Sequence, residues 1–468
     1  MIVARITRHP GRVLTAIAVI SWALRVALVL AGGQLYWPDE DRYLHAREMA
    51  AQLAAGHIVP PLMELSAPDH PLFKAIAIPP ALLERRLGAN THIPGIYLSA
   101  VSAIGIAFIG LIALRLGSPP EEAIIAAVLA AGSTTLFYYA RHLVPYDVAM
   151  TLGLGAMVLA VRRDPTMWSS WACGLLAGCA FLTYGGYWTL ATLVVLVHVF
   201  FAPDWRAGTR RAVVAAAGLI TPVAVIVAIT APLGGHLIGN FRGFSSNVIQ
   251  GEFSEGWRLP FEYLWYAEHG MTLLWAAGVA GCLAAGRRMS ATARVSLLAL
   301  AFVYGTLAAT STLLHMFVVY GRLARQLVPF FCLATATTCW SLWGRIGGWP
   351  RLALAPALAA FVLIQAAVNF TAAFRIWFPT EFVREGRTDP RVGPYRDELV
   401  GIYTHHIYPR PEFEPLPERF TLLRQAPHPL RFRPYQYEGY TPAERQALRS
   451  TDIRMKLLML PPEDLKPH

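Results

Sequence analysis

The chain has 468 residues, 55% hydrophobic and 15% charged, with 40 Lys plus Arg against 29 Asp plus Glu and a formal net charge of +11. Soluble domains carry about 25% charged residues, so the deficit, together with a mean hydropathy of +0.43, argues against a soluble protein and for an all-α polytopic membrane protein. The positive balance does not imply nucleic acid as a partner, because membrane proteins concentrate Arg and Lys on one side.

Nearly all the basic charge is Arg. Lys occurs only at Lys74, Lys456 and Lys466. The five cysteines, Cys173, Cys179, Cys282, Cys332 and Cys339, fall in apolar runs with no CxxC pair. They imply neither a disulfide framework nor a zinc knuckle.

A helix crosses a hydrocarbon core of ~30 Å in roughly 20 residues. Runs of that kind lie near residues 13–31, 94–114, 122–140, 145–161, 168–184, 186–202, 212–232, 270–286, 295–313, 324–343 and 351–371. The first follows Arg5, Arg8 and Arg12 and lacks a small-residue cleavage site, so it reads as a retained anchor. Alternate loops carry Arg162–Arg163, Arg206/Arg210/Arg211, Arg287/Arg288/Arg294 and Arg345/Arg351. The positive-inside rule places these loops and the N-terminus in the cytoplasm. Residues 1–371 then form the transmembrane domain, with outer loops at 32–93 and 233–269. Residues 372–468 form a small extracytoplasmic domain or cap.

The first outer loop opens with "YWPDEDRYLHAREM", residues 36–49. Pro38 and the run Asp39, Glu40, Asp41 suit a helix start, where carboxylates meet the positive end of the dipole. Tyr43, Ala46, Ala50, Leu53 and Ala54 fall on one face, as in an amphipathic helix lying on a membrane. The acids read equally as a cap or as a catalytic base. The same loop ends in "SAPDHPLFKAI", residues 66–76, which sets Asp69, His70 and Lys74 beside Pro71. A carboxylate, an imidazole and an ammonium thus meet at one membrane face.

An acidic pair after the first span, followed by a "HPPLGK"-like motif at the end of that loop, resembles the GT-C glycosyltransferases. Protein O-mannosyltransferases and lipid A aminoarabinose transferases are members. Here the motifs read Asp39–Glu40 and "DHPLFK", Asp69 to Lys74, without the second Pro and the Gly. The resemblance implies a GT-C bundle and a sugar donor carried on a polyprenyl phosphate. It also implies Asp39 as general base, supported by Glu40.

Further along, "YYARHLVPYDVAM", residues 138–150, places Arg141, His142 and Asp147 at the same outer ends. An acid in this region is costly. It reads either as an Arg141–Asp147 structural pair or as the second acidic position of GT-C enzymes. Glu268–His269 matches a Glu-His motif of the aminoarabinose transferases whose His is assigned as a metal ligand. With Asp69, these residues imply a divalent cation site. Tyr320, Arg322 and Arg325, in "LHMFVVYGRLARQLVPFF" (residues 314–331), resemble the family's late "YxRYxxPxxP"-like segment. Arg on the outer side runs against the positive-inside bias, and a guanidinium binds phosphate bidentately. Lys74, Arg322 and Arg325 are therefore the expected cations for the donor phosphate.

The expected activity is transfer of a hexosyl or pentosyl group to a glycan, lipid or protein hydroxyl at the outer face of a bacterial cytoplasmic membrane, with membrane lipids as surroundings. The competing class is a transporter or flippase of a lipid-linked substrate. That class calls for polar residues through the bilayer midplane and for inverted repeats, whereas the middle of most runs here is Ala, Leu and Val.

Overall fold

A computed structural model describes residues 9–31, 41–87, 92–137, 143–162, 164–248, 257–314, 321–346 and 356–367. Asp39, Glu40, Arg141, Tyr320 and the expected C-terminal domain lie outside them. Among the described residues there is no strand. Helix α1 spans Pro10–Ala31, α2 Asp41–Ala54, α3 Val59–Glu64, α4 Pro71–Leu87, α5 His92–Arg115 and α6 Pro120–Ala131. A short α7, Thr134–Phe137, precedes α8 Tyr146–Ala160, α9 Met167–Thr183, α10 Trp188–Phe200 and α11 Trp205–Thr230. Then come α12 Leu237–Val248, α13 Leu259–Glu268, α14 Gly270–Ala284, α15 Ala291–Thr312, α16 Gly321–Ala324 and α17 Val328–Arg345. The last described helix, α18, is Pro356–Ala367.

Ten of the eleven expected runs fall on apolar helices among the described residues, whereas the run expected at 122–140 breaks at Gly132 and Ser133 into two shorter helices. Among the described residues five helices are long and apolar enough to cross a membrane, and five more apolar helices are shorter. The protein is an all-α polytopic membrane protein. One continuous apolar core joins Leu14 of α1, Ile106 of α5, Tyr146 of α8, Trp275 of α14 and Phe330 of α17.

In lipid, helices associate through close packing of small residues rather than through exclusion of water. Helices α9 and α11 pair in this way. Gly174 and Gly178, four residues apart on α9, face α11, and Gly218 faces back. A methyl group added at Gly174 would land on the Ala215 carbonyl, and one at Gly218 on the Trp171 carbonyl. The Trp171 indole donates to Thr221 at 3.2 Å across the same seam. Helices α14 and α17 repeat the device, with Gly278 against Thr335 and Thr338 donating to the Gly278 carbonyl at 2.7 Å.

The segment expected as the first outer loop is folded in its described residues, 41–87. The apolar face expected on α2 exists, but Tyr43, Ala46 and Ala50 are buried, because α2 packs on α4. Glu84 of α4 is buried and takes the Tyr43 hydroxyl at 2.7 Å and Arg47 Nε at 3.5 Å. A satisfied buried carboxylate of this kind fixes the register of the two helices. Helix α4 itself runs through Pro79 and Pro80, where the loss of backbone donors favours a kink.

Candidate functional site

Two acid–cation groups stand where the sequence places the site. The first belongs wholly to the first outer loop. Lys74, in the first turn of α4, has no exposed side-chain surface. Its Nζ donates to Glu64 Oε1 at 2.6 Å and to Asp69 Oδ1 at 2.9 Å. The same Glu64 oxygen lies 3.2 Å from His45 Nδ1. Glu64 ends α3 and His45 sits on α2, so three helices and the link before α4 converge on one ammonium. The His45 hydrogen bond, and after it Lys74, hold the Glu64 carboxyl down at about 2 despite partial burial. Glu64 in turn raises His45 above its ordinary value.

The second group is deeper. Asp147, in the first turn of α8, is buried and accepts from Arg325, which is 1% exposed on the 3-10 turn between α16 and α17. Arg322 lies on α16. Arg25 of α1 is also buried and within electrostatic reach of both Asp147 and Arg325. It donates to the Ser21 carbonyl at 3.2 Å and to the Leu136 carbonyl at 3.4 Å. A small cavity, with room for about one water, lies beside the pair, lined by Ser102, Leu136, Asp147, Thr151, Leu154 and Arg325 among others.

Aromatic rings join the two groups. His70 lies 5.0 Å from the Tyr184 ring, and Tyr184 lies 4.8 Å from Tyr146, the neighbour of Asp147. Tyr187 closes on Tyr184 at 5.4 Å. Edge and tilted contacts of this length are favourable for aromatic rings. Gln326 pins the turn that carries these tyrosines, donating to the Gly186 carbonyl at 3.3 Å and accepting from Thr189 at 2.8 Å. Asn240 of α12 donates to the Ser66 carbonyl at 3.0 Å, which ties the second outer loop to the first.

His70 has a positive φ of 56°, immediately before α4. That is an uncommon backbone for a non-glycine residue and costs of order 1–3 kcal/mol. His269, φ 45°, repeats the feature between α13 and α14.

Two of the three residues expected to hold a metal, Asp69 and Glu268, have other partners. Asp69 serves Lys74. Glu268 is fully buried and takes the Ser133 hydroxyl at 2.6 Å and the Thr135 and Thr134 backbone N–H groups at 2.7 and 3.1 Å. It thereby satisfies the orphan donors at the start of α7, the work of a helix cap. Burial pushes its carboxyl up to about 7. Among the described residues no three His, Cys, Asp or Glu side chains gather as a metal-binding group.

Arg25, Glu64 and Tyr184 were not among the expected site residues. Arg25 offers the one usable signal, a lone cation within the first apolar run.

The fold is similar to that of ArnT from Cupriavidus metallidurans. In the apo state the match has a TM-score of 0.50 at 15% identity, covering 77% of this chain and 75% of ArnT. Against ArnT bound to undecaprenyl phosphate the TM-score is 0.51 at 14% identity, covering 97% and 74%. No family model matches the sequence, and a search of curated proteins finds no match.

Proposed function

We propose that this protein is a glycosyltransferase of a bacterial cytoplasmic membrane, with its N-terminus in the cytoplasm. It moves a sugar from a polyprenyl-phosphate donor to an acceptor hydroxyl at the outer face. The supporting observation is a GT-C fold that carries two acid–cation groups, Lys74 with its carboxylates and Asp147–Arg325, joined by an aromatic series. ArnT, which shares the fold, has been seen with undecaprenyl phosphate.

In this reading the acceptor oxygen attacks the sugar C1 while the bond from C1 to the phosphate oxygen breaks, inverting the anomeric centre. Asp39 takes the acceptor proton as general base. The polyprenyl phosphate leaves as an anion, and cations compensate the charge that grows on it. Lys74 and the arginines of the late segment, Arg322 and Arg325, fill that role. Arg325 stands in a buried pair with Asp147, and its planar fork loses little freedom per hydrogen bond formed. The lipid tail of the donor keeps the reaction at the bilayer edge. A divalent cation at Glu268–His269 remains a proposal from the family resemblance, and the steps above do not require it.

The test is reconstitution of the purified chain with a panel of polyprenyl-phosphate sugars, following free polyprenyl phosphate. Release that requires Asp39 supports the enzyme. Lipid scrambling without release from any donor would overturn it in favour of a flippase.

A further inference from the structure

We infer that Glu64 is a positioning residue that occupies Lys74 in the resting protein and passes to His45, which takes up a proton, when an anionic phosphate claims the ammonium. The inference rests on the reading of Lys74 as a donor-phosphate cation and adds a linkage that the reading does not contain.

The geometry carries it. The Lys74 side chain has no exposed surface, and carboxylates stand at 2.6 and 2.9 Å from its Nζ. A phosphate therefore reaches the ammonium only if a carboxylate yields. While the imidazole is neutral, two carboxylates and one ammonium sum to a local charge of −1, which repels a phosphate. Of the two acids, Glu64 has a second partner in place, since the oxygen that meets Lys74 also lies 3.2 Å from His45 Nδ1. Asp69 stands on the link five residues before Lys74. The His45 side chain is 44% exposed, so its proton comes from solvent.

Among the described residues, the charged groups that act on His45 are Glu64 of α3, Asp69 of the link and Lys74 of α4. Glu84 of α4 is committed to Tyr43 and Arg47. Glu64 raises the affinity of His45 for a proton, and Lys74 opposes it. Neutralising Lys74 with a phosphate removes that opposition and frees the carboxylate for the imidazole. Both changes favour the imidazolium. Atoms balance without a co-reactant: one proton moves from buffer to His45, and two hydrogen-bond partners are exchanged.

The experiment is calorimetric titration of the full chain in detergent micelles with undecaprenyl phosphate near pH 7, in two buffers of different ionisation enthalpy. The slope of heat against that enthalpy counts protons. Cation binding draws protons off the phosphate monoester itself, a release common to wild type and variants, so the comparison isolates the protein. Wild type should take up more protons than His45→Gln, by a fraction of one proton per phosphate bound. Glu64→Gln should abolish that difference and bind the lipid about 10-fold more tightly, because the competing state is gone. Asp69→Asn should keep the difference.

His45→Asn and Glu64→Asp are run beside these variants, with thermal melting to confirm folding. Equal proton counts in wild type and both His45 variants, with binding intact, overturn the exchange and leave the phosphate reading standing. Unchanged affinity in Glu64→Gln also overturns it. No binding of the lipid by wild type overturns the phosphate reading, and the inference with it.

Discussion

Arg325 donates to Asp147 across 178 residues of sequence, and both side chains are buried. Breaking such a pair from one side leaves an uncompensated charge in a low-dielectric interior, at about 3–5 kcal/mol. Arg325→Ala and Asp147→Asn should each lower stability on that scale. The double variant should lose less than the sum, because neither charge is then left alone. Chemical denaturation in detergent measures the cycle, and additive losses would show that the pair is not coupled. Arg325→Lys loses the planar fork and should behave nearer to Ala than to wild type.

Asp39→Asn should lower polyprenyl phosphate release by at least about 100-fold, the usual scale of a lost acid–base group. Binding of the donor should persist. Normal turnover in this variant would remove Asp39 from the mechanism. Glu40→Gln should be milder.

The Glu64–His45 contact predicts two pH limits for the first outer loop. The Glu64 carboxyl is held down to about 2, chiefly by the His45 hydrogen bond. Its contribution is therefore complete above its unfolded value near 4.5 and fades as pH falls toward about 2. The stability gap between wild type and Glu64→Gln should close over that interval. His45 is shifted upward, first by Glu64. Its contribution is complete below about 6.5 and is lost as pH rises through the raised value. The gap between wild type and His45→Gln should close on the alkaline side. Melting curves across pH test both, and a gap that is flat from pH 2 to 9 would refute the linkage.

Gly174→Ala should cost about 1–3 kcal/mol, since the methyl group meets the Ala215 backbone and the helices must part. Gly305→Ala is the control. Nothing lies within 4 Å of the added methyl there, and the residue is inside α15. It should be neutral or stabilising by up to about 1 kcal/mol. Equal effects at the two positions would contradict the packing described for α9 and α11.

A cysteine at Ser450 or Thr451, in the tail, should react with an impermeant thiol reagent from the outer side. Labelling only from the cytoplasm would reverse the proposed orientation of the site.

Ten of the helical runs were legible because span length and hydropathy are local properties of the chain, while the break at Gly132 and Ser133 was not. Lys74, Asp147 and Arg325 were legible for a related reason, since an ion in or near lipid must be compensated. Their partners were not, because pairing is a tertiary fact. Glu64 stands in "VPPLMELS" with nothing local to single it out. Arg25 was read as part of an apolar run. Helix α4 was hidden by Pro79 and Pro80, which as residues argue for a break, while packing against α2 maintains the helix. The apolar face of α2 was seen correctly, but sequence alone could not say whether lipid or protein would cover it.

The span between Asp147 and Arg325 also sets a schedule for biosynthesis. At about 5–20 residues per second of synthesis, the 178 residues that separate them take roughly 10–40 s to emerge. Through that interval the acid of α8 waits for its guanidinium while five more apolar helices are laid down after its own. Arg25, on a helix made before α8, is within electrostatic reach of Asp147 in the finished protein. The nascent chain thus already carries a counter-charge for its buried acid when α8 enters the membrane, and Arg325 completes the arrangement as the last long apolar helix, Arg325–Arg345, is added.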